Sequence, residues 1–108
     1  MSEVVFEVVS KLSKKIALTT KGYEHISERH PEVSGEFEKM KETLVNPRII
    51  RKSMYDDKVW LFYRLFSKTP VSRKYLMVSV RLFNNKGIVI TSYFTDKIKM
   101  GDEIWREE

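Results

Sequence analysis

The sequence predicts an α+β fold, with two N-terminal helices packed on a four- to five-stranded antiparallel sheet. Three observations predict it. Residues between Lys21 and Val45 repeat apolar side chains at helical spacing, with one break at Pro31. Residues after Pro47 fall into β-branched and aromatic runs divided by turn clusters. The chain has 108 residues, which suits one domain over 1–108, and its 42% hydrophobic content is enough for a core.

The elements follow in order. Val4–Val9 reads as a first strand, and Lys14–Leu18 as a second short extended piece or the end of a hairpin with it. Thr19 and Thr20 are placed to cap a helix from about Lys21 to Arg29 or His30. Pro31 stops it, because the proline ring clashes with a helical residue before it. Ser34 is a suitable N-cap for a second helix to Val45, with Phe37, Met40, Lys41 and Leu44 at helical spacing. Asn46-Pro47 ends that helix. Arg48–Met54 is a strand, and Tyr55–Lys58 is a turn. Val59–Phe66 is almost wholly apolar, so it belongs in the middle of a sheet covered on both faces. Ser67–Arg73 reads as a loop around Pro70, and Lys74–Phe83 as the next strand. Asn84–Gly87 is a hairpin turn, and Ile88–Thr95 returns as the last long strand. Asp96–Asp102 is a basic loop, after which Ile104 and Trp105 dock on the core.

Composition limits the chemistry. There is no cysteine, so thiolate catalysis, disulfides and cysteine-ligated zinc are excluded. No apolar run is long enough for a membrane helix. The N-terminus alternates Glu3 and Glu7 with valines, unlike a signal peptide, so a cytoplasmic protein without membrane contact is expected. The formal net charge of +5 suits an anionic partner, nucleic acid first.

Both histidines lie in His25-Ile26-Ser27-Glu28-Arg29-His30-Pro31. Histidine is the side chain that ordinarily titrates near neutral pH, so proton transfer is sought there. His25 and Arg29 share a helix face at i, i+4, where an imidazole and a guanidinium can bracket a phosphate. Plain solvated helix residues would show the same pattern. His30 shares a stripe with Tyr23 and Ile26. It reads equally as a helix C-terminal residue favoured by the dipole or as a catalytic group. A metal site is not expected, because two histidines five apart diverge on a helix, and Asp56-Asp57 reads as a turn. No cofactor is expected either.

Alternation along the last strand puts Ile88, Ile90, Ser92 and Phe94 on a core face. It puts Val89, Thr91, Tyr93 and Thr95 on the other. Three hydroxyls in a row can hold phosphate oxygens or a ribose 2′-OH, although threonine and tyrosine favour strands in any case. Lys97 and Lys99 add positive potential just beyond.

With these parts placed, the chain resembles the Barnase–EndoU–colicin–RelE-like nucleases, in particular their small phage- and prokaryote-associated branch. The resemblance rests on the helix with His25, Arg29, His30 and Pro31, on Asn46-Pro47 and the strand after it, and on Gly87–Thr95 with Asp96-Lys97-Ile98-Lys99-Met100-Gly101. It spans about Gly22 to Trp105. It implies helices preceding an antiparallel sheet and a metal-independent ribonuclease that leaves a 2′,3′-cyclic phosphate. His25, Arg29 and His30 match the helix motif, and Thr91, Tyr93 and Thr95 match the closing strand. In that chemistry His25 is the expected base or acid and Arg29 the cation. Thr91 or Thr95 orients a nonbridging oxygen, and Tyr93, Lys97 and Lys99 bind substrate. The expected partner is RNA, with an antitoxin or inhibitor protein if the enzyme is a toxin. The alternative is a non-catalytic RNA- or protein-binding module, in which Tyr55, Trp60 and Tyr63 serve as exposed aromatics.

Overall fold

A computed structural model describes residues 3–67 and 74–108. Most of the loop expected around Pro70 (68–73) lies outside the described residues.

Two strands precede the helices. β1 (Val4–Val9) and β2 (Lys15–Thr19) form a hairpin. Its turn is closed by the Ser10 N–H donating to the Lys14 carbonyl at 2.7 Å, with Leu12 and Ser13 both at positive φ. α1 (Thr20–Arg29) starts where the Thr19 hydroxyl accepts the Gly22 N–H at 3.0 Å, the cap that its threonines predict. α1 ends at His30, and Pro31–Val33 forms a single 3-10 turn.

The second helix begins later than its sequence suggests. Ser34 is extended, Gly35 takes φ +78°, and α2 runs over Phe37–Val45 behind Glu36, whose side chain makes no capping bond. The 3-10 turn drops Val33 into the core, and the next three residues reverse the chain before a helix can start. β3 (Ile49–Lys52), β4 (Val59–Phe66), β5 (Lys74–Phe83), β6 (Lys86–Thr95) and β7 (Glu103–Arg106) complete the chain.

The expected four- to five-stranded antiparallel sheet behind two N-terminal helices is corrected here. The described residues form one seven-stranded mixed sheet in the order β1-β2-β6-β5-β4-β3-β7. β2 pairs with β6 in parallel, Lys15 opposite Lys86 and Ala17 opposite Ile88, while every other neighbouring pair is antiparallel. The first hairpin therefore extends one edge, and β7 extends the other beside β3. Gly87 explains how β2 docks. A Cβ there would lie 2.6 Å from Val80 Cγ1 and 2.9 Å from Ile16 Cδ1, so the missing side chain is the space that Ile16 and Val80 fill. Gly87 is thus a strand residue, and the hairpin turn is Asn84-Asn85, with Asn84 at φ +61°.

The sheet carries a core on each face. Ile26 of α1 and Met40 and Leu44 of α2 cover Ile16, Leu18, Phe62, Val78, Val80 and Val89. On the opposite face Ile49, Leu61, Tyr63 and Met77 are buried beneath Tyr75, Tyr93 and Ile98. β4 is covered on both sides, as its apolar run predicts. The Asp96–Asp102 loop, read as basic, lies across this second face. Lys99 N–H donates to the Tyr63 hydroxyl at 3.0 Å, and Arg51 Nη1 donates to the Lys99 carbonyl at 3.3 Å.

The face assignment along β6 also changes. Ser79 opposes Thr91 while Val80 opposes Val89, so Ile90 is an extra residue in a β-bulge. The bulge shifts the alternation by one. Val89 joins Ser92 on the buried helix-side face, while Ile88 and Ile90 are 40% and 41% exposed. Thr91, Tyr93 and Thr95 stay together on the opposite face, where their partners Ser79, Met77 and Tyr75 point.

Candidate functional site

Within β6, β2 pairs only with Lys86–Ile88, so among the described residues the rest of β6 has no strand neighbour on that side. α1 lies there instead. His25 sits at the start of this stretch, in a hollow of about 430 Å³ lined by Thr19, Lys21, Gly22 and Ile88–Ile90. His30 sits further along, with its ring centroid 5.0 Å from that of Tyr93 and the planes tilted by 42°. Five positions on a helix rotate by roughly 140°, so the two imidazoles face different points of the strand.

His30 is held firmly. Pro31 forces it out of the helix, to φ −134° and ψ +72°, while its N–H still donates to the Ile26 carbonyl at 2.7 Å. The 3-10 turn then folds Glu32 back, leaving its Oε2 3.8 Å from His30 Nδ1, with both side chains about two-thirds covered. Lys99 Nζ lies 5.8 Å from the Tyr93 ring centroid. His30, Glu32, Tyr93 and Lys99 therefore gather at one edge of the second sheet face. The Tyr63–Lys99 bond fixes the cation's backbone, and burial pushes the Tyr63 hydroxyl above its ordinary value, opposed by the Lys99 N–H.

The other expected site residues stand as follows. Arg29 is exposed and has no side-chain hydrogen bond or ion pair among the described residues. Thr91 is half-buried, two positions from Tyr93 on the same face, and its carbonyl accepts from the Ser79 hydroxyl at 3.4 Å. The Thr95 hydroxyl accepts the Lys97 N–H at 3.1 Å and lies 3.2 Å from the Lys97 carbonyl, so it shapes the turn leaving the sheet. Lys97 is exposed. The hollow beside His25 includes neither Thr91 nor Thr95. Of the three aromatics suggested for a binding module, Tyr63 is fully buried, Trp60 packs against the helix-side core, and Tyr55 is 96% exposed.

Glu32 is the member that the sequence reading missed. Its signal was its place directly after His30-Pro31, where a tight turn brings positions two apart together. Asp56 is a turn residue, as read. It accepts the Lys58 N–H at 2.9 Å and pairs with Arg81, and these two contacts hold its carboxyl below the usual range. No group of three or more potential metal ligands occurs among the described residues, nor is any helix there long and apolar enough to cross a membrane.

An imidazole near a carboxylate and against a tyrosine ring that also faces an ammonium can move a proton next to a site for an anion. Comparison with known protein families, with curated proteins and with solved structures returned no match.

Proposed function

We propose that this protein is a metal-independent endoribonuclease whose acid–base group is His30. The observation that carries the reading is the convergence of His30, Glu32, Tyr93 and Lys99 at one edge of the second sheet face. His30 takes the proton of a ribose 2′-OH. The freed oxygen attacks the adjacent phosphorus, and the bond to the 5′-oxygen breaks. Tyr93 gives its phenolic proton to that leaving oxygen. The products are a 2′,3′-cyclic phosphate and a 5′-hydroxyl. Glu32, with its Oε2 3.8 Å from Nδ1, attracts the imidazolium that forms when the ring takes the proton. Lys99, with Arg29 in the last turn of α1, offsets charge on the phosphorane. Thr91 stands on the same face to bond a phosphate oxygen.

The resemblance to small barnase- and RelE-like nucleases supports the same chemistry, and the net charge of +5 supports RNA as the partner. The test is cleavage of mixed RNA in the presence of chelator, with the product ends analysed for cyclic phosphate. His30→Ala should lower the rate by about 10²–10⁴, the usual cost of losing a general acid–base group. Glu32→Gln should cost less, and Arg29→Lys should also impair the enzyme through loss of the planar fork. Cleavage unchanged in His30→Ala but lost in His25→Ala would transfer the role to His25. RNA binding without cleavage in the wild type would favour the binding module. Growth arrest on induced expression, relieved by His30→Ala, is the readout for a toxin.

A further inference from the structure

The loop between β3 and β4 carries an aromatic ring that folding does not use. Tyr55 is 96% exposed, so its ring contributes almost nothing to burial. Yet its loop is tightly built. Ser53 N–H donates to the Val59 carbonyl at 2.9 Å, Tyr55 N–H to the Ser53 hydroxyl at 3.1 Å, and Val59 N–H to the Asp56 carbonyl at 3.0 Å. The facing segment is equally fixed. Lys52 N–H donates to the Asp102 carbonyl at 2.8 Å, and Gly101 presses so close that a Cβ there would lie 2.0 Å from the Lys52 oxygen. Between them opens a hollow of about 360 Å³ lined by Ser53, Met54, Tyr55, Leu61, Lys99 and Met100. Lys99 is the same lysine whose ammonium lies 5.8 Å from the Tyr93 ring. The hollow and the His30 cluster thus share one cation and one face of the sheet.

We propose that this hollow is a nucleobase subsite, in which Tyr55 stacks on one base of a single-stranded RNA that runs over the Asp96–Asp102 loop toward His30. The loop backbone is already fixed, so stacking has to order only the two side-chain torsions of Tyr55. Met54 and Met100, 67% and 75% exposed, flank it with soft thioethers that adapt to any base. Lys99 meets the phosphate between the stacked base and the reacting bond. Asp57 and Asp102 line the adjoining hollow with Asp56 and Lys52, and their excess negative charge disfavours a phosphate backbone there. From β3 to β6 is three strand spacings, roughly 14 Å, so the ligand is an oligonucleotide and not a mononucleotide. Duplex RNA is excluded, because its bases are already stacked on one another. The path of the strand rests on the ribonuclease reading, but the stacking itself does not.

The probe is a fluorescein-labelled, eight-residue 2′-O-methyl oligonucleotide of mixed sequence, which cannot be cleaved, titrated with the full chain by fluorescence anisotropy. Tyr55→Ala should weaken binding about 5- to 150-fold, the equivalent of ~1–3 kcal/mol for one stacked base. Tyr55→Trp should retain wild-type affinity. Phe83→Ala, which removes a 52% exposed ring at the β5–β6 turn, should leave affinity unchanged. Wild-type affinity in Tyr55→Ala, equal losses in Tyr55→Ala and Phe83→Ala, or loss in Tyr55→Trp would each overturn the proposal. Failure of the ribonuclease reading shows separately, as Tyr55-dependent binding with no cleavage of unmodified RNA.

Discussion

Tyr63→Phe isolates one bond that joins the fold to the candidate site. Tyr63 is fully buried, and its hydroxyl accepts the Lys99 N–H at 3.0 Å. Phenylalanine keeps the ring and the packing against Met77 and Ile49, so only the hydroxyl is lost. A net hydrogen bond contributes about 0.5–1.5 kcal/mol, and stranding a buried donor costs about 1–3 kcal/mol. Lys99 lies in an exposed loop where water can replace the hydroxyl, which favours a value of about 1 kcal/mol. For a domain of this size that lowers Tm by about 4 °C. The effect should depend on pH. Burial raises the Tyr63 pKa above the ordinary 10.0, so the folded state favours the protonated phenol. Stability from that preference is complete below pH 10 and is lost as pH rises through the folded value. Wild-type Tm should therefore fall more steeply above pH 10 than that of Tyr63→Phe. Thermal unfolding followed by circular dichroism from pH 7 to 11 measures both. Equal Tm at pH 7 together with parallel alkaline slopes would refute the account of Tyr63 as the anchor of the Lys99 loop.

Two further substitutions test the fold. Gly87→Ala places a methyl group 2.6 Å from Val80 Cγ1, so it should destabilise by about 1–3 kcal/mol through overpacking. An unchanged urea midpoint would refute the docking account of β2. Asp56→Asn removes a carboxylate whose pKa is lowered by the Lys58 N–H and Arg81. Its stabilisation is present above pH 3.8 and disappears as pH falls through the lower folded value, so the variant should show a flatter acid limb. Identical acid unfolding curves would remove Asp56 from the stability of the loop.

The strands were legible as β-branched and aromatic runs, and the β5–β6 hairpin from the turn residues Asn84 and Asn85 between two such runs. The pairing of Lys15 with Lys86 has no local signature, so the seven-stranded mixed sheet could not be read. Gly87 looked like turn chemistry, although its lack of a side chain serves packing. The bulge at Ile90 likewise leaves no mark in a strict two-residue alternation, which is why Val89 and Ile88 exchanged faces. For the candidate site, the His25–Pro31 segment drew attention through its residue types. Which histidine meets Tyr93 depends on where α1 lies along β6, and that is a tertiary fact. Glu32 joins His30 only because Pro31 starts a 3-10 turn.

The parallel seam between β2 and β6 also sets an order in time. A ribosome delivers β2, α1 and His30 early, and β6 with Tyr93 late. Until β6 exists, the first hairpin has no edge to join, and His30 has no aromatic ring beside it. Such distant pairings form only after the intervening chain has been brought together. A nascent chain that ends before β6 therefore holds the histidine without the tyrosine ring that it packs against.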